Sequence, residues 1–399
     1  MTNREQPHLA WVVHQYGPEV GGGSETLCRA IAELLSPNVK STVLTTTARD
    51  YDPWRSFYPA GQHELNGVRV LRFPADQAPA DELRGLYADA HAHPTDAERG
   101  RLWLEALGPR APGVVNHLRE HGGDYDVLCA VPYVFATTLA ALEAFCAPKI
   151  LVPCAHDEPA FGLDVYRQVF DLADAFVFNT DEEASLVEQR FGTSGKPSRT
   201  IGFPNGPAPA TDPDSFRSRL GVEGPYLLCV GRNDVSKGTD LLLDLHERTI
   251  GATPEHTLVL VGQQIIDVPA RSDVVVAGYL DDQWKASAIA GATAVVLPSP
   301  YESLSIVALE AWAQGIPVLA NAESPVLLGQ VRRSGGGLWY RDAHDYRTMV
   351  TLLLAQPELG RGLGEAGRSW VDEAYAPDTV IAAWRSLLSE LALGSRAPA

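Results

Sequence analysis

The stretch Pro298-Ser-Pro-Tyr-Glu302-Ser-Leu-Ser-Ile-Val-Ala-Leu-Glu310-Ala-Trp-Ala-Gln-Gly315-Ile-Pro317-Val318 follows directly on a short apolar run, Ala294 to Leu297. A run of that length bounded by turn residues reads as a buried strand, and the segment after it carries a helical pattern. Glu302 then falls in the turn and Glu310 in the helix. With Ser303 or Ser305 capping the helix, Glu310 lies about one and a half turns in, roughly 7 Å along the axis. The first helical turn leaves backbone N–H groups unpaired at the positive end of the dipole, where phosphates bind readily. Two carboxylates beside such donors suit an anionic ligand that also bears hydroxyl groups.

Outward from this stretch, short runs rich in Val, Ile and Leu alternate with helical patterns, as in parallel sheets covered on both faces by helices. Strands are predicted at Leu9 to Val13, Ser41 to Thr46, Val68 to Phe73, Val127 to Ala130, Ile150 to Pro153 and Ala175 to Asn179. The rhythm restarts with Tyr226 to Val230, Thr257 to Val261, Val274 to Ala277, Ala294 to Leu297 and Pro317 to Ala320. A chain of 399 residues with 45% hydrophobic content is long enough for two domains, each with its own core. The Pro- and Gly-dense segment between the two sets places a linker at residues 206–216, with a first domain at 1–205 and a second at 217–376. Residues 377–399 are expected to form a last helix that returns to the first domain. Val127 to Ala147 is apolar enough to be mistaken for a membrane span, but Pro132 splits it into a strand and a helix from Tyr133 to Phe145.

Composition disfavours some partners. A formal net charge of −18 disfavours nucleic acid and anionic membrane surfaces, both of which reward a basic face. Cys28, Cys129, Cys146, Cys154 and Cys229 are scattered, without Cys-x-x-Cys spacing, and read as small buried apolar residues and not as a disulfide framework or zinc site. The polar residues before the first strand form no signal peptide, so a cytoplasmic location is expected. His91, His93, His117 and His121 show no metal spacing with carboxylates and are expected at the surface.

Other segments carry chemistry. Tyr226-Leu-Leu-Cys-Val230-Gly231-Arg232-Asn-Asp-Val-Ser-Lys237-Gly238 is a strand ending in a glycine turn, followed by two cations. An Arg and a Lys on one loop can neutralise the roughly two negative charges of a pyrophosphate without a metal. Near the N-terminus, Gly21-Gly22-Gly23-Ser24-Glu25 lies between the first strand and the first helix, where glycines let backbone approach a phosphate or sugar closely. It is not the Gly-x-Gly-x-x-Gly dinucleotide fingerprint. His156 follows the strand ending at Pro153, at the sheet edge where α/β proteins bind ligands. Gly278-Tyr279-Leu280 forms a further strand-to-helix turn. No Gly-x-Ser-x-Gly elbow is present, which disfavours hydrolase chemistry.

The two Glu residues flanking seven others, with Gly315 and Pro317 beyond them, resemble the donor-site signature of retaining GT-B glycosyltransferases of family 4. The resemblance implies two Rossmann-like doubly wound parallel-sheet domains facing a central cleft. It implies hexosyl transfer from a nucleoside diphosphate sugar to an acceptor hydroxyl of a glycan, small metabolite or lipid-linked sugar, with retained configuration and no metal or other cofactor. By resemblance Glu302 contacts the transferred sugar, Glu310 holds the ribose, and the amides of Ser303, Leu304 and Ser305 receive the diphosphate. Arg232 and Lys237 match the family's diphosphate-binding pair beside Gly231. Gly22 and Gly23 match glycines that abut the donor phosphates and acceptor, His156 matches a His near the reacting carbon, and Gly278, Tyr279 and Leu280 stand by the base. Ser303 and Ser305 depart from the family's usual glycines. The alternatives are an epimerase or phosphorylase-like GT-B enzyme, which needs another acid-base set or a cofactor lysine, and a non-catalytic sugar-nucleotide binding protein.

Overall fold

The computed structural model describes residues 6–51, 54–76, 80–206 and 208–394. The chain divides into two compact units, Met1–Pro204 with Val380–Ala399, and Asn205–Thr379. Residues 1–5 and 395–399 of the expected first domain and position 207 of the expected linker lie outside the described residues.

The first unit is built on a sheet of eight strands: β1 (His8–Val13), β2 (Lys40–Thr46), β3 (Gly61–Leu65), β4 (Val68–Phe73), β5 (Val127–Val131), β6 (Lys149–Leu151), β7 (Ala175–Phe178) and β8 (Ser198–Thr200). Their order is β3-β4-β2-β1-β5-β6-β7-β8, parallel throughout except for β3 against β4. Alternation along a strand sends successive side chains to opposite faces. Leu9, Trp11 and Val13 therefore enter one core while Ala10 and Val12 enter the other. The terminal helix Pro377–Gly394 covers the first of these faces, placing Val380, Trp384, Leu387, Leu388 and Leu391 in the core of Leu9 and Trp11.

The second unit carries β9 (Tyr226–Val230), β10 (Thr257–Val261), β11 (Val274–Gly278), β12 (Ala294–Leu297), β13 (Val318–Asn321) and β14 (Gly337–Tyr340) in the order β11-β10-β9-β12-β13-β14. All pairings are parallel. Chain order thus reverses between β9 and β12, and open α/β sheets bind ligands at such a switch point, outside the carboxyl ends of the strands. The loop after β9 carries Arg232 and Lys237, and the loop after β12 carries Glu302.

Some expectations are corrected. The helix expected from Tyr133 spans Ala136–Ala144, because the Tyr133 amide donates to the Pro153 carbonyl and Phe135 is still extended. The expected linker is helical from Pro213 to Leu220, capped by Asp212, whose carboxylate accepts from the Ser215 amide. Strand β6 stops at Leu151, short of Pro153, and β3, β8 and β14 have no counterpart among the predicted strands. Cys146 is exposed and Cys154 partly so, unlike the buried Cys28, Cys129 and Cys229. His117 is half-buried, with its Nε2 2.7 Å from the Tyr125 hydroxyl. No helix among the described residues is long and apolar enough to cross a membrane.

Candidate active site

The cation loop and the acid loop of the second unit meet directly. Gly238 adopts φ 70°, and a Cβ there would stand 2.5 Å from the Pro298 carbonyl oxygen, so only glycine brings the two backbones this close. That carbonyl is fixed by the Asn321 side-chain amide, which donates to it at 3.0 Å. Lys237 Nζ then reaches Glu302 Oε1 at 2.9 Å, with the lysine 41% and the glutamate 15% exposed.

Arg232 is held by Asp234, and its guanidinium also donates to Ser236 Oγ at 3.3 Å. Asp234 Oδ1 accepts from Ser236 Oγ at 2.7 Å and from the Lys237 amide at 2.9 Å. Burial alone would raise the Asp234 pKa, but the hydrogen bonds from Ser236, Arg232 and Lys237 hold it below the usual carboxylate range. Asp234 therefore holds the Arg232 guanidinium and the Lys237 backbone, a role that sequence reasoning missed.

Ser305 caps the helix Ile306–Ala313, its hydroxyl accepting from the Ala308 amide at 3.3 Å. The Ser305 amide itself donates to Gln330 Oε1 at 3.3 Å, so an intramolecular acceptor competes for one of the three amides expected to receive phosphate. Leu304 is buried, which anchors the loop beneath Ser303. Further along the helix, Glu310 Oε1 accepts from Lys285 Nζ at 2.7 Å, whereas Glu310 Oε2 is buried without a hydrogen-bond partner. Burial raises the Glu310 pKa, and Lys285 offsets only part of that rise. Burial would lower the Lys285 pKa, but the adjacent Glu310 charge raises it on balance. Lys285 was also missed; the available signal was a lysine in the first turn of the helix Asp282–Ala290, where the dipole disfavours a cation.

The turn at Gly278 is left-handed, with φ 71°, and its carbonyl accepts from the Gly262 amide at 2.8 Å. Tyr279 beyond it is 78% exposed, and Leu280 is partly buried.

In the first unit, Gly22 precedes the helix Gly23–Leu35, and a Cβ on it would lie 2.4 Å from a carboxylate oxygen of Glu25. That close approach lets Glu25 fold beneath the loop, where His14 Nε2 sits 2.7 Å away and the Tyr51 and Ser24 hydroxyls donate to the same carboxylate. Burial opposes ionisation of Glu25, yet His14 and these hydroxyls hold its pKa down to about 2. His156 is about a quarter exposed, with Nδ1 3.9 Å from Glu158 Oε1. Buried Glu183 shapes the turn before it by accepting from the Ala155 and Asn179 amides, each at 2.6 Å.

Of the nominated residues, Gly22, Gly23 and His156 belong to the first unit, and Gly231, Arg232, Lys237, Gly278, Tyr279, Leu280, Glu302, Ser303, Leu304, Ser305 and Glu310 to the second. Among the described residues, no group of three or more His, Cys, Asp or Glu is arranged to hold a metal ion.

Comparison with known proteins bears on the fold and on the second unit. Residues 211–370 match the family model described as Glycosyl transferases group 1. A D-inositol 3-phosphate glycosyltransferase of Geodermatophilus obscurus is 30% identical over 277 residues, covering 60% of this chain and 58% of that protein. A GDP-mannose-dependent mannosyltransferase of Corynebacterium glutamicum, acting on a monoacylated phosphatidylinositol monomannoside, is 26% identical over 43% of this chain and 49% of its own. The chain spans little more than half the length of the inositol-phosphate relatives it matches. Among solved structures, sucrose-phosphate synthase from Thermosynechococcus elongatus aligns with a TM-score of 0.73 at 20% identity, over 98% of this chain and 100% of the other. Anabaena HepE in complex with UDP-glucose aligns with a TM-score of 0.66 at 14% identity, over 97% and 99%. The chain has the GT-B fold, and the part of it that matches the glycosyl transferases group 1 model, residues 211–370, lies within its second unit.

Proposed function

We propose that this chain transfers a hexosyl group from a nucleoside diphosphate sugar to an acceptor hydroxyl, with retention of anomeric configuration, without a metal ion, and in the cytoplasm. The observation that carries the reading is the contact of Lys237 with Glu302 across the switch point between β9 and β12. It supports the reading because a cation suited to a diphosphate and a carboxylate suited to sugar hydroxyls lie side by side, next to a helix start.

In this reading, Arg232 and Lys237 neutralise the charge that develops on the diphosphate as the bond from its oxygen to the anomeric carbon breaks. Both cations already have carboxylate partners, Asp234 and Glu302, so the donor shares them instead of meeting bare charges. Glu302 orients the sugar, and Glu310 receives the ribose. Gly22 and Gly23 let the first unit's backbone approach the phosphates, and His156 contacts the sugar. The acceptor oxygen bonds to the anomeric carbon on the face the diphosphate leaves, and its proton passes to the departing phosphate. Catalysis is then positioning and electrostatic stabilisation, with no protein base. Support for retention comes from the resemblance of the Glu302 to Glu310 block. Support for nucleotide-sugar donors comes from the name of the GDP-mannose-dependent Corynebacterium glutamicum relative and from the UDP-glucose held by HepE.

Thermal denaturation with UDP, GDP, ADP and TDP tests the donor site, since a ligand that binds only the folded chain raises its midpoint. One nucleotide is expected to do so, and its labelled glucose or mannose derivative to leave free nucleoside diphosphate beside a new glycoside of unchanged anomeric configuration. If no nucleotide shifts the midpoint, the reading fails.

A further inference from the structure

Glu310 is bridged to a lysine from a different helix in a way that leaves its recognition half-finished. Lys285 lies in the first turn of the helix Asp282–Ala290, where the dipole works against it. Asp281 caps that helix, and Asp282 Oδ1 stands 3.3 Å from Lys285 Nζ, which offsets part of the penalty. The ammonium nonetheless reaches Glu310 Oε1 at the shorter distance of 2.7 Å. A bridge serving only to tie two helices together has no need to strand an oxygen, yet Glu310 Oε2 is buried with no hydrogen-bond partner. A buried acceptor in that state is costly until a donor fills it.

We propose that Lys285 is a positioning residue that commits one oxygen of Glu310 and leaves the other to accept from ligand hydroxyls, so that the site takes ribonucleoside diphosphates and discriminates against their 2′-deoxy counterparts. The inference rests on the donor reading above. Without Lys285, burial favours the protonated form of Glu310, a weaker acceptor for a hydroxyl pair. The residue acts through Glu310 and touches neither the diphosphate nor the reacting carbon.

The test is calorimetric titration of the full chain with UDP, GDP and ADP, followed by the 2′-deoxy form of whichever binds most tightly. The unaltered chain is expected to prefer the ribonucleotide by about tenfold or more. K285M should lose that factor for the ribonucleotide while binding the 2′-deoxy form as before, and K285R should recover part of it. Equal weakening toward both nucleotides, unchanged binding by K285M, or no preference in the unaltered chain would each overturn the proposal. Should K285M not fold, E310Q decides: it keeps the side chain's shape, and persistence of the full ribose preference overturns the idea. Absence of binding by any nucleoside diphosphate to the unaltered chain overturns the donor reading and this inference with it.

Discussion

Lys237 is the residue at which charge compensation is most exposed to test. Its partner Glu302 is the more buried of the two, and the lysine's side chain is 41% exposed, so its removal strands little buried surface. K237A is therefore expected to leave the thermal midpoint within a few degrees and to lower turnover about 10²- to 10³-fold, as the loss of one electrostatic stabiliser does. Steady-state kinetics with a saturating donor checks this; a rise in KM alone would assign Lys237 to ground-state binding. Glu310→Ala should behave the opposite way, weakening donor binding about tenfold or more with a smaller effect on turnover, because a ribose contact is the same before and during transfer. Equal losses in kcat and kcat/KM would contradict that division of labour. Glu302, Glu310, Arg232 and Lys237 could be nominated from the sequence because each lies within a short local pattern of strand, turn and helix. Lys285 was not, because its partner is 25 residues away and no periodicity connects them.

At the scale of elements, the turn at Gly238 sets the distance between the two loops of the site. G238A places a methyl group against the Pro298 carbonyl and also forces alanine into left-handed backbone, which together should cost about 1 to 3 kcal/mol. The expected readout is a lowered urea midpoint with a disproportionate loss of nucleotide affinity; unchanged affinity would mean that the loops do not depend on this contact. The last turn of the helix that follows Gly238, Thr239–Thr249, carries a second dependence. His246 is buried with its Nε2 3.1 Å from Asp273 Oδ2 and its ring 5.2 Å from that of His256. Burial, helped by His256, lowers its pKa from 6.5 to about 4 against the pull of Asp273. Between those values the unfolded chain binds a proton that the folded one refuses. Stability should therefore fall as pH drops through this window, by at most about 3 kcal/mol from this group. Urea unfolding of the native chain and of H246Q across the window checks the sign: the variant's curve should be flatter. Central strands such as β9 and β12 were legible from their unbroken apolar runs, as strands buried on both faces must be. By contrast β3 is a polar antiparallel edge, β8 has three residues, and β14 opens on a glycine, so none presents an apolar run of ordinary length. The helix Pro213–Leu220 was hidden by proline density, although Asp212-Pro213 is itself a capping signal.

At the scale of the whole molecule, the chain closes the first unit with its last helix, after the entire second unit has intervened. The fully buried Trp384 lies 5.3 Å, centroid to centroid, from Trp11 on β1, and Val380, Leu387, Leu388 and Leu391 complete the same face. Their positions at i, i+4, i+7, i+8 and i+11 form the apolar stripe that made an amphipathic terminal helix predictable. The face it would cover was not predictable, since β1 is equally apolar on both sides. W384A removes a large ring from a closed core and should destabilise the first unit by about 3 to 5 kcal/mol. Hydrogen exchange locates the loss, because protection follows local opening. Amides of β1, β2 and β5 should exchange faster in W384A, whereas those of β9 and β12 keep their rates. Since the helix is covalently the end of the second unit and energetically part of the first, uniform acceleration across both sheets would show that the units unfold as one, and an unchanged β1 would show that the helix contributes little to the core it covers.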